Sequence, residues 1–153
     1  MSDDLSVEAY LYHHFHTIYV LLDDGDKRTF KQLDLTFTQY NFLRTLDAAN
    51  ADSLTVSEAA KILLCTRGNI TRLVKRLEKS NLVRLGNDAH DQRLVRITLT
   101  AKGQGKFEQA RQLHNASIQR RMAAFTPEQR QQLIDLTATA VRLLQADLAT
   151  KTS

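Results

Sequence analysis

The stretch that decides the fold runs from Thr55 to Gly103 and reads TVSEAAKILLCTRGNITRLVKRLEKSNLVRLGNDAHDQRLVRITLTAKG. Thr55 followed by Glu58 is a capping-box pattern, which predicts a short helix ending near Leu63. Thr66 predicts the start of a second helix, because a threonine hydroxyl caps free N–H groups well. The apolar side chains of this second helix recur at helical spacing, at Ile70, Leu73, Val74 and Leu77.

Two short strand patterns follow the second helix. Apolar residues alternate with polar ones on both sides of the charged loop 87–93, which predicts two half-buried strands containing Val83 and Leu85, then Val95, Ile97 and Leu99. Asn81 stands where the helix should end in a left-handed residue. Helix, tight turn, basic helix and hairpin in this order predict a winged helix-turn-helix, whose second helix can enter a DNA major groove.

The charge of the chain is concentrated in this same region. Residues 61–96 hold nine Lys/Arg and three Asp/Glu, whereas residues 1–26 hold six acids and no Lys or Arg. The net charge of the whole chain is only +4. A basic segment beside an acidic remainder is typical of a surface that docks on nucleic acid, although an ordinary solvated helix face is the alternative.

Helical patterns flank the region on both sides. A first helix is predicted over about Leu5–Leu22, and residues 23–31 are predicted to form a polar loop because they include Gly25. The capping-box pattern of Thr36 and Gln39 predicts a further helix, which buries Tyr40, Phe42, Leu43 and Leu46. After the strands, helices are predicted over about 101–124 and from Pro127 onward, the last with an apolar stripe of Leu133, Leu136, Ala140, Leu144 and Leu148.

The two ends of the chain carry apolar stripes that a small winged domain cannot cover. A helical dimer interface built from both ends covers them, and a two-fold protein suits a two-fold DNA site. The predicted fold class is mainly α with a small β-hairpin wing. One domain over 1–153 then contains a winged helix-turn-helix part at 36–100 and helical dimerisation parts at 1–30 and 101–153.

The exposed face of the basic helix supplies the candidate DNA contacts. Near its start, side chains that can read base edges are expected, namely Arg67, Gly68, Asn69, Thr71 and Arg72. Lys75 and Arg76 lie further along and are expected to meet phosphates, and the N–H groups capped by Thr66 can share a phosphate. In the loop between the strands, Arg93 can reach a minor groove with Asp91 holding it extended; a plain surface salt bridge is the alternative.

The chain resembles the MarR family of bacterial regulators in two segments. The first runs from Ala59-Ala60-Lys61 to Glu78, and the second is Asp91-Gln92-Arg93 followed by a strand that ends Leu99-Thr100-Ala101-Lys102-Gly103. The resemblance implies a homodimer of winged helix-turn-helix protomers with Arg93 as the wing arginine and Asp91 as its partner. It also implies a transcriptional regulator, usually a repressor of nearby genes, that binds double-stranded DNA and is released by a small phenolic or other lipophilic effector. Leu64 and Gly68 depart from the residues usual in the family's turn and recognition helix, so base preference does not carry over.

The site that controls DNA binding is less sharply indicated. A pocket between the dimer helices and the winged part, lined by Tyr10, His14, Tyr40 and Arg44, is one interpretation, and plain core packing of the aromatic residues is the other. Cys65 suggests a redox-responsive regulator of the same fold, and the group His13, His14 and His16 a metal-responsive one. A buried thiol is normally inert, and histidines without a further ligand indicate a metal weakly, so no metal or cofactor is predicted.

Several classes of protein are disfavoured by the composition. No catalytic triad, phosphate loop or zinc-protease pattern is present, so we expect no enzyme. A single cysteine, an acidic N-terminus and the lack of an apolar run of about 18–20 residues predict a cytoplasmic protein without a disulfide framework, signal peptide or membrane span. A winged domain that binds a protein partner instead of DNA remains an alternative.

Overall fold

The computed structural model of the chain describes residues 6–49, 53–88, 91 and 94–150. Its helices are α1 (Val7–Lys31), α2 (Phe37–Ala48), α3 (Val56–Ile62), α4 (Arg67–Lys79), α5 (Ala101–Met122) and α6 (Pro127–Thr150). Its strands are β1 (Leu54–Thr55), β2 (Val83–Asn87) and β3 (Val95–Leu99). The predicted fold class, mainly α with a β-hairpin wing, is confirmed. Within the described residues no helix is long and apolar enough to cross a membrane.

The helix starts predicted from capping patterns are confirmed. Thr36 and Gln39 bond reciprocally, with the Thr36 N–H donating to Gln39 Oε1 at 2.8 Å and the Gln39 N–H donating to Thr36 Oγ1 at 3.2 Å. Thr55 and Glu58 make the same exchange at the start of α3. Each pair satisfies N–H groups that a helix leaves free at its first turn, and so the helix begins at that residue.

The loop predicted over residues 23–31 is wrong, because α1 continues through it to Lys31. Two (i, i+4) ion pairs follow one another here, Lys27 with Asp23 at 2.5 Å and Arg28 with Asp24 at 2.8 Å. Phe30 is completely buried in the core. Burial of a phenylalanine stabilises the last turn by about 2 kcal/mol, which outweighs the roughly 1 kcal/mol that Gly25 costs a helix.

The sheet has three antiparallel strands in the order β1–β3–β2, and its short first strand was not predicted. In the middle of β3, Ile97 lies opposite Leu54 on one side and Leu85 on the other. Val83 and Ile97 are buried, but Leu85 and Val95 are exposed, contrary to the prediction of half-buried strands. Within the described residues, Leu85 and Val95 belong neither to the core cluster nor to the apolar residues packed against it.

The chain forms two compact units, with the boundary inside α5 after His114. In the first unit, one hydrophobic core is built from α1 through the first half of α5 and includes Phe42, Leu43, Leu77 and Phe107. In the second unit, the described part of α6 has no buried residue. The winged helix-turn-helix elements α2–α4, β2 and β3 all belong to the first unit, whose core therefore fixes their positions.

Candidate nucleic-acid interface

The turn between α3 and α4 sets the direction of the second helix. Leu64 has a φ of 50°, in the left-handed region, and the next N–H, of Cys65, donates to Ala60 O at 3.0 Å. A left-handed residue ends α3 and lets the chain turn at once into α4. The Leu64 side chain is 89% exposed. Leu64 therefore adopts a backbone conformation that favours glycine. Its exposed side chain contributes no burial that would offset this strain.

One face of α4 is buried in the core and the opposite face is open to solvent. Ile70, Val74 and Leu77 are buried, which anchors the helix on the core of the first unit. The eight residues predicted to contact DNA from this helix are all exposed, namely Thr66, Arg67, Gly68, Asn69, Thr71, Arg72, Lys75 and Arg76. The structure thus brings the whole predicted set together on one cationic surface, which we call the recognition face.

Polar contacts at the start of α4 order part of this face. Thr66 Oγ1 accepts the Asn69 N–H at 3.3 Å and caps the helix. The Arg72 guanidinium bends back along the helix, donating through Nη2 to Asn69 Oδ1 at 3.1 Å and through Nε to Gly68 O at 3.4 Å. Arg72 and Asn69 form one polar unit, and both side chains are of the types that read base edges.

Gly68 lies on the recognition face with open space above it. A β carbon built on Gly68 meets nothing within 4 Å. The glycine is therefore not required by packing within the described residues, and it costs the helix about 0.5–1 kcal/mol relative to alanine. Because Gly68 has no side chain, the helix backbone is accessible at this position and another molecule can approach it closely.

The wing is closed by Asp88. The Asp88 N–H donates to Leu94 O, and Asp88 Oδ1 accepts the N–H of Asp91, at 2.9 and 3.0 Å. Asp91 is exposed at this turn. Arg93, the predicted wing arginine, lies outside the described residues, so its pairing with Asp91 stays a prediction.

An ion-pair cluster that the sequence analysis missed joins the wing to the helix-turn-helix. Arg96, on β3, donates through Nε to Asp88 Oδ2 at 2.6 Å and through Nη1 to Ser53 O and Glu58 Oε2, at 3.0 and 3.3 Å. Hydrogen bonds from the Thr55 backbone and hydroxyl, and then the charge of Arg96, hold the pKa of Glu58 below its usual value. The base of the wing is therefore tied to the start of α3 by a half-buried arginine.

The Leu-Thr-x-x-Gly segment ties the end of α4 to the start of α5. Thr100 Oγ1 donates to Asn81 O at 2.7 Å and accepts the Gly103 N–H at 2.9 Å, so one hydroxyl caps α5 and holds Asn81, the second residue after α4. Asn81 has a φ of 57°, as predicted for the end of that helix. A β carbon on Gly103 would stand 1.9 Å from Leu82 O, so the close approach of two backbones requires glycine there.

The residues predicted to bind an effector lie in two places. On α1, Tyr10 and His14 are exposed one turn apart, with ring centroids at 4.4 Å. On α2, Arg44 is exposed, whereas Tyr40 is buried and stacks on Phe30 at 4.6 Å. Burial is also the main reason that the pKa of Tyr40 is raised. Tyr40 therefore occupies the position of a core residue, one of the two interpretations that the sequence left open.

A histidine that the sequence analysis did not single out lies beside Tyr40. His114 is mostly buried, its ring centroid is 5.1 Å from those of Phe30 and Tyr40, and its Nε2 lies 3.3 Å from Asp26 Oδ1. This contact links α1 to α5 within the first unit. The sequence signal was weak, because Asp26 stood in a segment predicted to be a loop.

The alternative sensing residues are Cys65 and the group His13, His14 and His16. Cys65 is partly buried and packs against the hydrophobic core. Among the described residues, no group of three or more His, Cys, Asp or Glu side chains is placed to hold a metal ion.

An exposed cationic helix after a tight turn, beside a closed β-hairpin, defines a winged helix-turn-helix protein of the DNA-binding class. Comparison with known proteins identifies the family. The MarR family model matches residues 33–94. The homoprotocatechuate degradative operon repressor of Escherichia coli is 30% identical over 106 residues, which are 69% of this chain and 70% of the repressor. The chain belongs to the MarR family of transcriptional regulators and is not an enzyme.

Solved structures show the same fold. A mutant of MarR from E. coli complexed with operator DNA is 25% identical, with a TM-score of 0.80 over 91% of this chain and 99% of that one. The organohalide sensing RdhR regulator, in its 2,4-dichlorophenol bound form, is 23% identical, with a TM-score of 0.81 over 94% of this chain and 83% of that one. Other curated helix-turn-helix regulators, from Bacillus subtilis and Methylorubrum extorquens, are matched over 36 to 66% of their own length.

Proposed function

We propose that this chain is a homodimeric repressor that binds a palindromic operator and is released by a small lipophilic or phenolic effector. The observation that carries the proposal is the recognition face, where the DNA-contact residues predicted for α4 are exposed together while the opposite stripe is buried. A fixed cationic helix face of this kind fits a major groove. The complex of a MarR relative with operator DNA supports the same use of the fold.

Within this proposal the residues have different tasks. Arg67, Gly68, Asn69, Thr71 and Arg72 lie towards the start of α4 and read base edges. Thr66, Lys75 and Arg76 meet phosphates, which position the protein without specifying sequence. In the wing, Arg93 enters the minor groove and Asp91 holds it, as the resemblance to the family implies. Residues 36–100 form the DNA-binding part of the domain.

The dimer covers the helices at the two ends of the chain. On α1 the side chains of Leu11, Phe15, Ile18 and Leu22 are exposed, and on α6 the same holds for Leu133, Leu136, Leu144 and Leu148. Apolar surface on this scale is uncommon on a monomer and marks an interaction surface. We propose that a second copy covers both helices, so that residues 1–30 and 101–153 form the dimerisation part.

Two relatives support release by a small molecule. One represses an operon for homoprotocatechuate degradation, and another is an organohalide sensor solved with 2,4-dichlorophenol bound. For this chain we propose an aromatic effector that acts near Tyr10, His14, Tyr40 and Arg44. Such a molecule releases DNA if it binds one arrangement of the two recognition helices better than the other.

The test begins with selection of bound fragments from a random DNA pool, from which an inverted repeat should emerge. On that fragment, Arg72→Ala should weaken binding by about 1–3 kcal/mol and relax the preference at one position of each half-site. Lys75→Ala should weaken all sequences alike and reduce the salt dependence by about one phosphate. Arg93→Ala should cost about 1–3 kcal/mol as well, because it removes a specific contact.

Lys31→Ala is the matched control, because Lys31 is exposed at the end of α1 and lies outside the recognition face and outside the proposed dimerisation parts. It should leave affinity and sequence preference unchanged. Wild-type affinity in both Arg72→Ala and Lys75→Ala would show that α4 does not enter the groove. Selected fragments with a single unrepeated motif would contradict the two-fold arrangement.

A further inference from the structure

The guanidinium of Arg96 lies between the wing and the helix-turn-helix. Arg96 is on β3, which is the middle strand of the sheet. Through Nε it donates to Asp88 Oδ2, at the base of the wing. Through Nη1 it donates to Ser53 O and to Glu58 Oε2, at the start of α3. A guanidinium is planar and its N–H groups point in fixed directions, so Arg96 holds these two parts of the molecule at a set separation.

At the wing, the Asp88 carboxylate carries this constraint into the loop. Asp88 Oδ2 accepts from Arg96 at 2.6 Å, and Asp88 Oδ1 accepts the Asp91 N–H at 3.0 Å. Only 12% of the Asp88 side chain is exposed, and a carboxylate at such burial is stabilised by partners on both oxygens. The direction in which the wing loop leaves the sheet therefore depends on where Arg96 holds Asp88.

At the other end, Glu58 carries the constraint into the helix-turn-helix. Glu58 Oε2 accepts the Thr55 N–H at 2.7 Å and the Thr55 hydroxyl at 2.9 Å, and so fixes the first turn of α3. The tight turn after α3 leads directly into α4, which carries the recognition face. Arg96 thus connects the wing loop to the helix pair that presents the recognition face.

We propose that Arg96 is a positioning residue for DNA binding, which holds the wing where it reaches the DNA at the same time as α4. A wing that is already in place loses no conformational freedom on binding, whereas a loosely held wing has to be ordered at a cost in affinity. The inference rests on the proposed function and adds to it the residue on which the contact of the wing depends. Arg96 acts through Asp88 and the wing loop and does not itself contact DNA.

A double-mutant cycle between Arg96 and the wing tests this dependence. The affinity of the 153-residue chain for the selected DNA is measured by fluorescence anisotropy for the wild type, Arg93→Ala, Arg96→Met and the double variant. Each single substitution should weaken binding about 5- to 150-fold, the range of one specific contact. The double variant should be within about twofold of the weaker single variant, because both substitutions remove the same wing contact.

Independent effects would overturn the proposal. If Arg93→Ala weakens Arg96→Met as much as it weakens the wild type, Arg96 does not act through the wing. If Arg93→Ala leaves the affinity of the wild type unchanged, the wing makes no contact that Arg96 could position. A lower melting temperature of Arg96→Met with no coupling to Arg93 would show that Arg96 serves only the stability of the fold.

Asp88→Asn distinguishes positioning from a direct phosphate contact by Arg96. It removes a negative charge, so electrostatics alone would raise the affinity for DNA. Positioning predicts the opposite, a loss of about 2- to 10-fold, because the ion pair that orients the wing is weakened. A gain in affinity would overturn the proposal. This variant also leaves no buried carboxylate without its arginine, so it tests the proposal even if Arg96→Met does not fold.

Arg84→Met is the matched control on the same hairpin. Arg84 is exposed on β2 and donates through Nε to Thr98 Oγ1 at 3.0 Å, so it bonds within the hairpin. It removes the same charge as Arg96→Met, but Arg93→Ala should weaken it as much as it weakens the wild type. Coupling of equal size for Arg84 and Arg96 would overturn the proposal, because any charge lost from the hairpin would then have the same effect.

The outcomes separate the two proposals. If Arg72→Ala and Lys75→Ala weaken binding and Arg96→Met does not, the positioning role is wrong and the DNA-binding function stands. A chain that selects no DNA from the pool would overturn the positioning role together with the proposed function.

Discussion

Replacement of Gly103 by alanine should destabilise the winged part strongly, because two backbones meet at this residue. The new β carbon would lie 1.9 Å from Leu82 O and 2.8 Å from Leu82 C, whereas ordinary contact begins at 3.4 Å. Both obstacles are backbone atoms, so no side chain can rotate away. The helix start must shift by more than about 1 Å, as overpacked sites generally do.

The shift has a calculable cost. Overpacking typically costs about 1–3 kcal/mol, and loss of the Thr100 N–H bond to Leu82 O, 3.1 Å long, adds about 1 kcal/mol. Alanine regains about 0.5–1 kcal/mol of helix propensity. We therefore expect Gly103→Ala to lower the free energy of unfolding by about 1–3.5 kcal/mol.

Gly105 provides a matched control on the same helix. A β carbon there meets nothing within 4 Å, so Gly105→Ala should raise the free energy of unfolding by about 0.5–1 kcal/mol. Both variants should be unfolded in urea at one protein concentration, since the stability of the proposed dimer would depend on concentration. If both substitutions shift the midpoint in the same direction, the contact between Gly103 and Leu82 does not govern this position.

Three further predictions concern the turn, the wing and the recognition face. Leu64→Gly should stabilise the protein by about 1 kcal/mol in urea unfolding, because it relieves a left-handed leucine whose side chain is exposed; a loss of stability would mean that the leucine packs on something. Because the pKa of Glu58 is lowered in the folded state, its carboxylate stabilises the protein at pH values above the ordinary pKa of a glutamate, and this stabilisation is lost as the pH falls towards the lower pKa of the folded state. Glu58→Gln should therefore reduce the stability at pH 7 and make the decrease in stability from pH 6 to 3 less steep. If the stability of Glu58→Gln decreases from pH 6 to 3 as steeply as that of the wild type, the Glu58 carboxylate does not cause this decrease. Gly68→Ala should stabilise α4 by about 0.5–1 kcal/mol yet weaken binding to the selected DNA, and unchanged affinity would show that no close approach occurs there.

Local signals in the sequence predicted the helix-turn-helix well. Capping residues fix where a helix begins, so Thr36, Thr55 and Thr66 located the starts of α2, α3 and α4. The apolar stripe of α4 then identified its buried side and, by subtraction, the exposed residues of the recognition face. These features depend on residues at most four positions apart, and such short spacings can be read directly from the amino-acid sequence.

Contacts between distant segments could not be predicted in this way. Gly25 and the polar residues around it predict a loop at the end of α1, whereas the ion pairs and the burial of Phe30 that keep this segment helical show only in the folded structure. The cluster around Arg96 joins residues up to 43 positions apart, and β1 exists through its pairing with β3. No local pattern distinguishes such residues from ordinary surface charges or a turn.

The surroundings of Asn41 show the same limit. Asn41 looks like an ordinary polar residue on an amphipathic helix, and only packing reveals that its side-chain oxygen is buried and forms no hydrogen bond among the described residues. Sequence spacing gives the face of a helix, whereas the neighbouring helix decides what lies beside that face.

A salt titration of DNA binding tests the central claim most directly. The affinity of the 153-residue chain for a selected duplex should be measured by fluorescence anisotropy from about 50 to 300 mM salt. If the recognition face meets phosphates in a groove, the logarithm of affinity should fall linearly with the logarithm of salt concentration, with a slope near −0.9 for each phosphate contacted. An affinity that does not change over this range would contradict the account, because a cationic helix face on DNA cannot bind without releasing counterions.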